Sequence, residues 1–321
     1  MNEYFVFTNR ESDPALVPRA ENFRRAPQEV RAENRPQRIL YEQFRLPFAV
    51  KSAGCDVLLN PGFTCPLLSS CPSVTVFHDL QHKRRPEYFR AFDLPAWQFL
   101  LWAAAHRSRA LIAVSEATRS DLRLLYRVDA AVVPHGVEQA VFDIAARRDP
   151  RRFILCLSTL HPHKNLERLI RAWRAVDRRD YHLVIAGLRG FHTQQIEKTI
   201  ADLRVEERVR LTGWLERGEV LELLRTAAAC IQPSTFEGFG MPVLEAMAAG
   251  VPLACSDIAP FREVTGGTVP LFDPLNDDAI RDALVALLCN RPDMAAARQR
   301  ACAFTWPRAA RLTLDVLQGA A

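Results

Sequence analysis

A short apolar run, a polar turn and an amphipathic stretch follow one another repeatedly along this chain. In the second half, apolar runs over 153–157, 182–186, 209–211, 227–231, 252–255 and 268–271 predict buried strands. Stretches with apolar positions three and four apart predict helices over 165–176, 193–203, 218–227, 260–264 and 276–288. The first half gives strands over 4–8 (read as buried), 57–59, 74–77, 110–114 and 132–133. Helices are predicted there over 36–53 and 94–106, and another is capped by Ser115. No element is predicted over 9–35, which is polar and rich in Arg and Pro, and 134–149 reads as a linker. Strand–helix alternation with short loops means an α/β chain of two doubly wound, Rossmann-like domains, 1–149 and 150–303. Their strand ends would face a cleft, where ligands bind.

The most informative stretch is S-T-F-E-G-F-G-M-P-V-L-E-A-M-A-A-G, Ser234 to Gly250. Pro242 suits the first turn of a helix and Gly250 its C-terminal cap. Glu237 lies in the loop and Glu245 a turn inside the helix, with seven residues between them. Gly238, Phe239, Gly240 and Met241 put backbone N–H groups at the helix N-terminus, where an anion is favoured. Ionised carboxylates accept hydrogen bonds from sugar hydroxyls, and amides donate to diphosphate oxygens, so a nucleotide sugar is the first ligand to consider. In the plainer reading, one carboxylate caps a helix and the other is solvated. Gly-Phe-Gly-Met-Pro is a costly way to build so ordinary a turn.

Lys164, one of four lysines, falls between a strand end and a helix start in L-S-T-L-H-P-H-K-N. A cation there can neutralise a diphosphate leaving group; His161 and His163 flank it. His78-Asp79 follows the strand over 74–77, where a histidine can serve as an acceptor-side hydrogen-bonding group or base, or simply pack.

Composition narrows the classes. The chain has 321 residues, 49% apolar, with a formal charge of +5 carried mostly by Arg. No basic stripe interleaves with aromatics, so nucleic acid is not an expected partner. The eight cysteines form no C-x-x-C pair and read as reduced core residues. The N-terminus does not read as a signal peptide, and no apolar run reaches the roughly 20 residues of a membrane span. The 94–106 helix is apolar nearly all round; packing inside its domain is preferred over weak peripheral membrane contact, for which only Lys83-Arg84-Arg85 argues. No metal-ligand spacing, G-x-S-x-G, P-loop or G-x-G-x-x-G occurs. That counts against a catalytic metal, a hydrolase elbow, an ATPase and a dinucleotide oxidoreductase.

Together these stretches resemble the GT-B-fold glycosyltransferases of family 4, a retaining group rich in bacterial mannosyltransferases. The match runs through V-F-H-D-L-Q (76–81), I-A-V-S-E-A-T-R-S-D-L (112–122), V-V-P-H-G-V (132–137), the Lys164 loop, V-I-A-G, L-T-G-W and the E-x7-E loop. F-T-W at 304–306 fits the family's last helix, 304–321, which crosses back to the first domain. The resemblance implies that Glu237 binds donor-sugar hydroxyls, with the amides of Gly238 to Met241 near sugar and diphosphate. It implies Glu245 on the ribose, Lys164 and His163 on the diphosphate, and His78 near the reacting centre. It further implies metal-independent hexosyl transfer, with mannose from GDP-mannose favoured, onto a saccharide or lipid-linked acceptor. No cofactor beyond the nucleotide-sugar co-substrate is expected, and the location would be cytoplasmic or peripheral at the inner membrane face. The alternatives are a catalytically impaired nucleotide-sugar-binding protein of the same fold and a nucleotide-sugar epimerase. Two departures stand out. Relatives often carry Arg where this chain has His163, making diphosphate compensation weaker or pH-sensitive. Relatives also begin with a strand and Gly-rich loop that have no counterpart here, so the first domain is expected to be incomplete at its start and activity reduced.

Overall fold

The computed structural model describes residues 2–290 and 292–321. In chain order the strands are β1 (Tyr4–Thr8), β2 (Phe23–Pro27), β3 (Leu58–Asn60), β4 (Ser73–Phe77), β5 (Ala110–Ala113) and β6 (Ala131–Val132). The second half supplies β7 (Phe153–Leu157), β8 (His182–Ala186), β9 (Val209–Leu211), β10 (Ala229–Gln232), β11 (Leu253–Ser256) and β12 (Leu271–Phe272). Every pairing of these strands is parallel. The first half holds a sheet ordered β3-β4-β5-β6, and the second a sheet ordered β12-β11-β10-β7-β8-β9.

The larger sheet is covered by apolar residues on both faces. Ile154 and Cys156 of β7 join one core with Leu183 and Ile185 of β8, while Leu155 and Leu157 join the opposite core with Val184 and Ala186. Two-sided burial explains why these strands read as continuous apolar runs. From β7 the chain winds outward through β8 and β9, then returns to lay β10 on the other side of β7. The loops after β7 and β10 therefore diverge at a topological switch point and leave a crevice between them. Lys164 follows β7 and Glu237 follows β10, so the topology brings both to that crevice.

Several first-half elements differ from expectation. The 36–53 helix is two helices, Arg35–Phe44 and Leu46–Ser52, with Pro47 in the first turn of the second. A proline tolerated in a first turn cannot continue the preceding helix. The 9–35 stretch contains β2, which pairs with β1 in a separate two-stranded sheet. Tyr4 stacks on Phe23 at 4.7 Å. In β1 only Thr8 is fully buried, so the strand is less enclosed than its apolar sequence suggests. The helix Leu94–Arg107 buries Leu101 and Ala103 to Ala105 but leaves Phe99 and Trp102 exposed. Its uniform apolarity thus covers one packed face and one open face.

The 134–149 stretch is firmly held. Val137, Val141, Phe142 and Ile144 pack into the core of the second half. Arg148 donates to the carbonyls of Gly250 (3.0 Å) and Ala227 (2.6 Å). An unpredicted helix, Ala295–Ala301, precedes the last one, Trp306–Ala320. That last helix returns to the first half, where Ala309, Leu312 and Val316 pack with Val74, Ile112 and Val133.

Candidate functional site

Lys164 ends a short 3-10 turn, Pro162–Lys164, directly after the β7 loop. The next residue, Asn165, is left-handed at φ 58. Its side-chain amide donates to the carbonyls of Pro233 (3.0 Å) and Pro274 (2.7 Å), fixing the Lys164 loop against the ends of β10 and β12. The Lys164 ammonium then donates to Glu237 Oε1 at 2.6 Å, and Ser234 Oγ to the same oxygen at 2.7 Å. Both charged side chains are only 14% exposed. Because both bonds end on Oε1, Oε2 keeps its lone pairs for another donor.

Gly240, at φ 118, turns the chain into the helix Met241–Ala248, with Pro242 in its first turn. The first intrahelical bond runs from Leu244 N–H to the Gly240 carbonyl, leaving the N–H groups of Gly240, Met241 and Val243 outside the ladder. Phe239 is buried and packs edge-on to His135 and Phe304. Gly238 meets the first half: its carbonyl accepts from Ser115 Oγ (2.5 Å) and Thr118 Oγ1 (3.2 Å). Gly250, at φ 64, lies just beyond the C-cap Ala249.

Glu245 is buried and paired with Arg217 Nη1 at 2.8 Å. Burial pushes its carboxyl up, and the Arg217 guanidinium pulls it back toward the charged form. Arg217 opens a helix started by a Glu216–Glu219 capping box and also reaches Glu138, at 3.2 Å, in the 134–149 stretch. Arg217 and Glu138 are two site residues that sequence reasoning missed; neither sits in a motif, and each comes from a different segment.

His78 stands across the cleft at the end of β4. Its Nε2 lies 2.8 Å from the Pro61 carbonyl. A carbonyl can only accept, so Nε2 is the donor, and in the neutral ring Nδ1 then holds the lone pair. His78 stacks on His135 at 5.4 Å, a third missed residue at the site. Burial, with His78 adding, lowers His135 to about 4, so it is uncharged at neutral pH. His163 is lowered to about 3 by burial, Lys164 and His161, and its Nδ1 is buried without a hydrogen-bond partner. The His163 backbone carbonyl accepts from Thr235 N–H at 2.8 Å. With that value His163 is uncharged across the neutral range, so Lys164 is the cation of the two.

Asp79, raised by burial and secondarily by Glu237, shares with Glu237 a cleft of about 540 Å³ between the halves. Among the described residues, no three His, Cys, Asp or Glu side chains gather in a metal-holding group. No described helix is long and apolar enough to cross a membrane.

Residues 137–303 match the family model for Glycosyl transferases group 1, and residues 2–141 match Glycosyltransferase Family 4. The O-antigen chain mannosyltransferase B of Escherichia coli is 25% identical, over 88% of this chain and 80% of its own length. The O-antigen chain mannosyltransferase RfbU of Salmonella typhimurium is 27% identical, over 73% of this chain and 65% of its own. The fold matches sucrose-phosphate synthase from Thermosynechococcus elongatus (TM-score 0.78, 18% identity, 98% of this chain and 88% of that one). It also matches WaaG, a glycosyltransferase involved in lipopolysaccharide biosynthesis (TM-score 0.73, 16% identity, 94% and 88%).

Proposed function

The chain belongs to the group 1 glycosyltransferases of family 4, with the GT-B fold, and on that premise we propose that it moves a hexose from a nucleotide sugar with retention at the anomeric carbon. The observation that carries this reading is the Lys164–Glu237–Ser234 cluster at the switch point, beneath a helix N-terminus and opposite His78. The donor diphosphate would take Lys164 and the amides ahead of Val243; the donor sugar would take Glu237 Oε2; the ribose would take Glu245. Because Lys164 already touches Glu237, a diphosphate and a sugar bound to this pair lie next to each other, as they do in a nucleotide sugar.

In the transfer itself the bond from the anomeric carbon to the diphosphate oxygen breaks, and a bond to the acceptor hydroxyl oxygen forms on the same face. The acceptor proton passes to the departing phosphate oxygen. Lys164 and the helix N-terminus stabilise the charge that develops on that leaving group, a term whose loss typically costs about 100-fold or more in rate. His78, with Nδ1 free to accept, orients the incoming hydroxyl. This assignment needs no metal ion. The mannosyltransferase names of the first two relatives favour mannose, hence GDP-mannose, over other donors, and O-antigen synthesis favours a saccharide or lipid-linked acceptor. Exposed Phe92, Phe99 and Trp102 support a peripheral contact with a membrane surface.

Transfer from GDP-mannose should continue in EDTA, and Glu237→Gln should lower kcat about 100-fold. Wild-type-like turnover in that variant removes Glu237 from the site. A product of inverted anomeric configuration, read by NMR, removes retention. Donor binding without turnover would instead favour a binding protein. A melting-temperature panel of GDP-, UDP- and ADP-sugars identifies the base, since a ligand specific to the folded state raises Tm.

A further inference from the structure

The cleft beside Glu237 is lined from the first half by Arg84, Arg85 and Thr118, and from the second by Thr235, Phe236 and Glu237. The two guanidiniums differ. Arg84 donates from Nε to Asp121 Oδ1 at 3.0 Å, so its charge is matched on its own side of the cleft. Arg85 is paired with Glu87 at 3.9 Å, close enough to feel its charge but beyond hydrogen-bond distance. Its side chain is 41% exposed and, among the described residues, makes no side-chain hydrogen bond. The segment that carries it is fixed in place. Arg85 follows the helix Gln81–Arg84, and Tyr88 brings its ring to 6.4 Å from that of His163 in the Lys164 loop.

On the reading given above, the donor diphosphate already has its cation, Lys164, and that cation comes from the second half. Arg85, loosely paired and, among the described residues, free of side-chain hydrogen bonds, brings a further cation into the cleft from the opposite half, the half whose His78 orients the acceptor on that same reading. We propose that Arg85 binds an oxyanion on the acceptor, so that the acceptor substrate is anionic, carrying a phosphate, diphosphate or carboxylate near the hydroxyl that is glycosylated. A guanidinium suits that task because its planar fork meets phosphate and carboxylate oxygens in pairs. The neighbouring Arg84–Asp121 pair keeps a second guanidinium at the same mouth without adding net charge. The inference rests on the donor reading, and its test separates the two.

The test is calorimetric titration of pyrophosphate and, separately, of glucuronate into the full chain saturated with GDP. Wild type should bind at least one of them. Arg85→Ala should weaken that binding about tenfold or more while leaving GDP affinity unchanged, and Arg85→Lys should recover part of it. Pyrophosphate alone assigns a phosphorylated acceptor; glucuronate alone assigns an acidic sugar. No binding of either anion by the GDP-loaded protein overturns the proposal. So does a fall in GDP affinity in Arg85→Ala, which would make Arg85 part of the donor site. If GDP itself fails to bind, the donor reading falls on that result. The difference in pyrophosphate affinity between wild type and Arg85→Ala, measured without nucleotide, then still decides the role of Arg85.

Discussion

At residue scale, the buried polar groups of this chain are of two kinds, those held in an ion pair and those that lose their charge. Lys164 and Glu237 are each other's ion-pair partner, and removing one leaves the other as an unmatched charge in a site 14% exposed. His82, His135 and His163 are the second kind. Burial lowers His82 and His135 to about 4 and His163 to about 3, each below the ordinary 6.5. The unfolded chain therefore takes up protons that the folded chain refuses as pH falls from 6.5 to the folded value, and stability declines through that window. Buried carboxylates such as Glu245 and Asp79, whose values are raised, act in the opposite sense, so the contribution of one histidine must be isolated by substitution. His82 is the cleanest case, 3% exposed and bonded through Nε2 to Tyr126 OH at 2.6 Å. His82→Phe should melt lower than wild type at pH 7.5, having lost that bond, and the deficit should shrink by up to about 3 kcal/mol between pH 6.5 and 4. Parallel melting curves across that range would show that His82 does not carry the effect. Glu237, Glu245 and Lys164 were legible in the sequence because their residue types stand at informative spacings inside motifs. Arg217 and Glu138 were not, because what matters about them is a partner from another part of the chain.

At element scale, the site exists because two strand-end loops are pinned to one another. Asn165 does much of the pinning, with a left-handed backbone and two side-chain bonds to the carbonyls of Pro233 and Pro274. Asn165→Ala loses both bonds and replaces a residue type that tolerates the left-handed conformation with one for which it costs about 1 kcal/mol, so unfolding free energy should fall by roughly 3 kcal/mol. Asn165→Gly loses the same bonds but tolerates the backbone and should recover about 1 kcal/mol of that. Equal values for the two variants in urea unfolding would mean that the backbone conformation is not being held against a cost. The strands of the second half were readable because burial on both faces leaves uninterrupted apolar runs, and β7, β8 and β9 fall where those runs do. In the first half the rule weakens. β2 is Phe-Arg-Arg-Ala-Pro, with its arginines exposed, and no apolar run marks it. The 36–53 pattern is helical throughout, yet Pro47 restarts the helix there. Periodicity reports burial, and where an element is only half buried it says correspondingly less.

At the scale of the whole molecule, the halves are held face to face by contacts that no local pattern announces. Ser115 and Thr118 bond the Gly238 carbonyl, and the Glu263 carboxylate accepts from the N–H groups of Glu116 (2.9 Å) and Ala117 (3.3 Å). A carboxylate at that helix N-terminus also meets its positive end. At the centre of the contact, Gly238 lies so close to the His78 carbonyl that an added Cβ would overlap it. This glycine is needed for close approach rather than for backbone freedom, since it is not among the positive-φ glycines. Gly238→Ala should therefore leave each half folded but prevent the cleft from closing, moving His78 away from Glu237. Solution scattering should show a larger radius of gyration than wild type, turnover should drop sharply, and GDP should bind nearly as before because its predicted contacts lie in the second half. Gly218→Ala, where an added Cβ meets nothing within 4 Å, is the matched control and should change none of these. If Gly238→Ala keeps both the wild-type radius and wild-type turnover, the loop has absorbed the methyl group, and the close approach of Gly238 to His78 is not what sets the distance between the two halves.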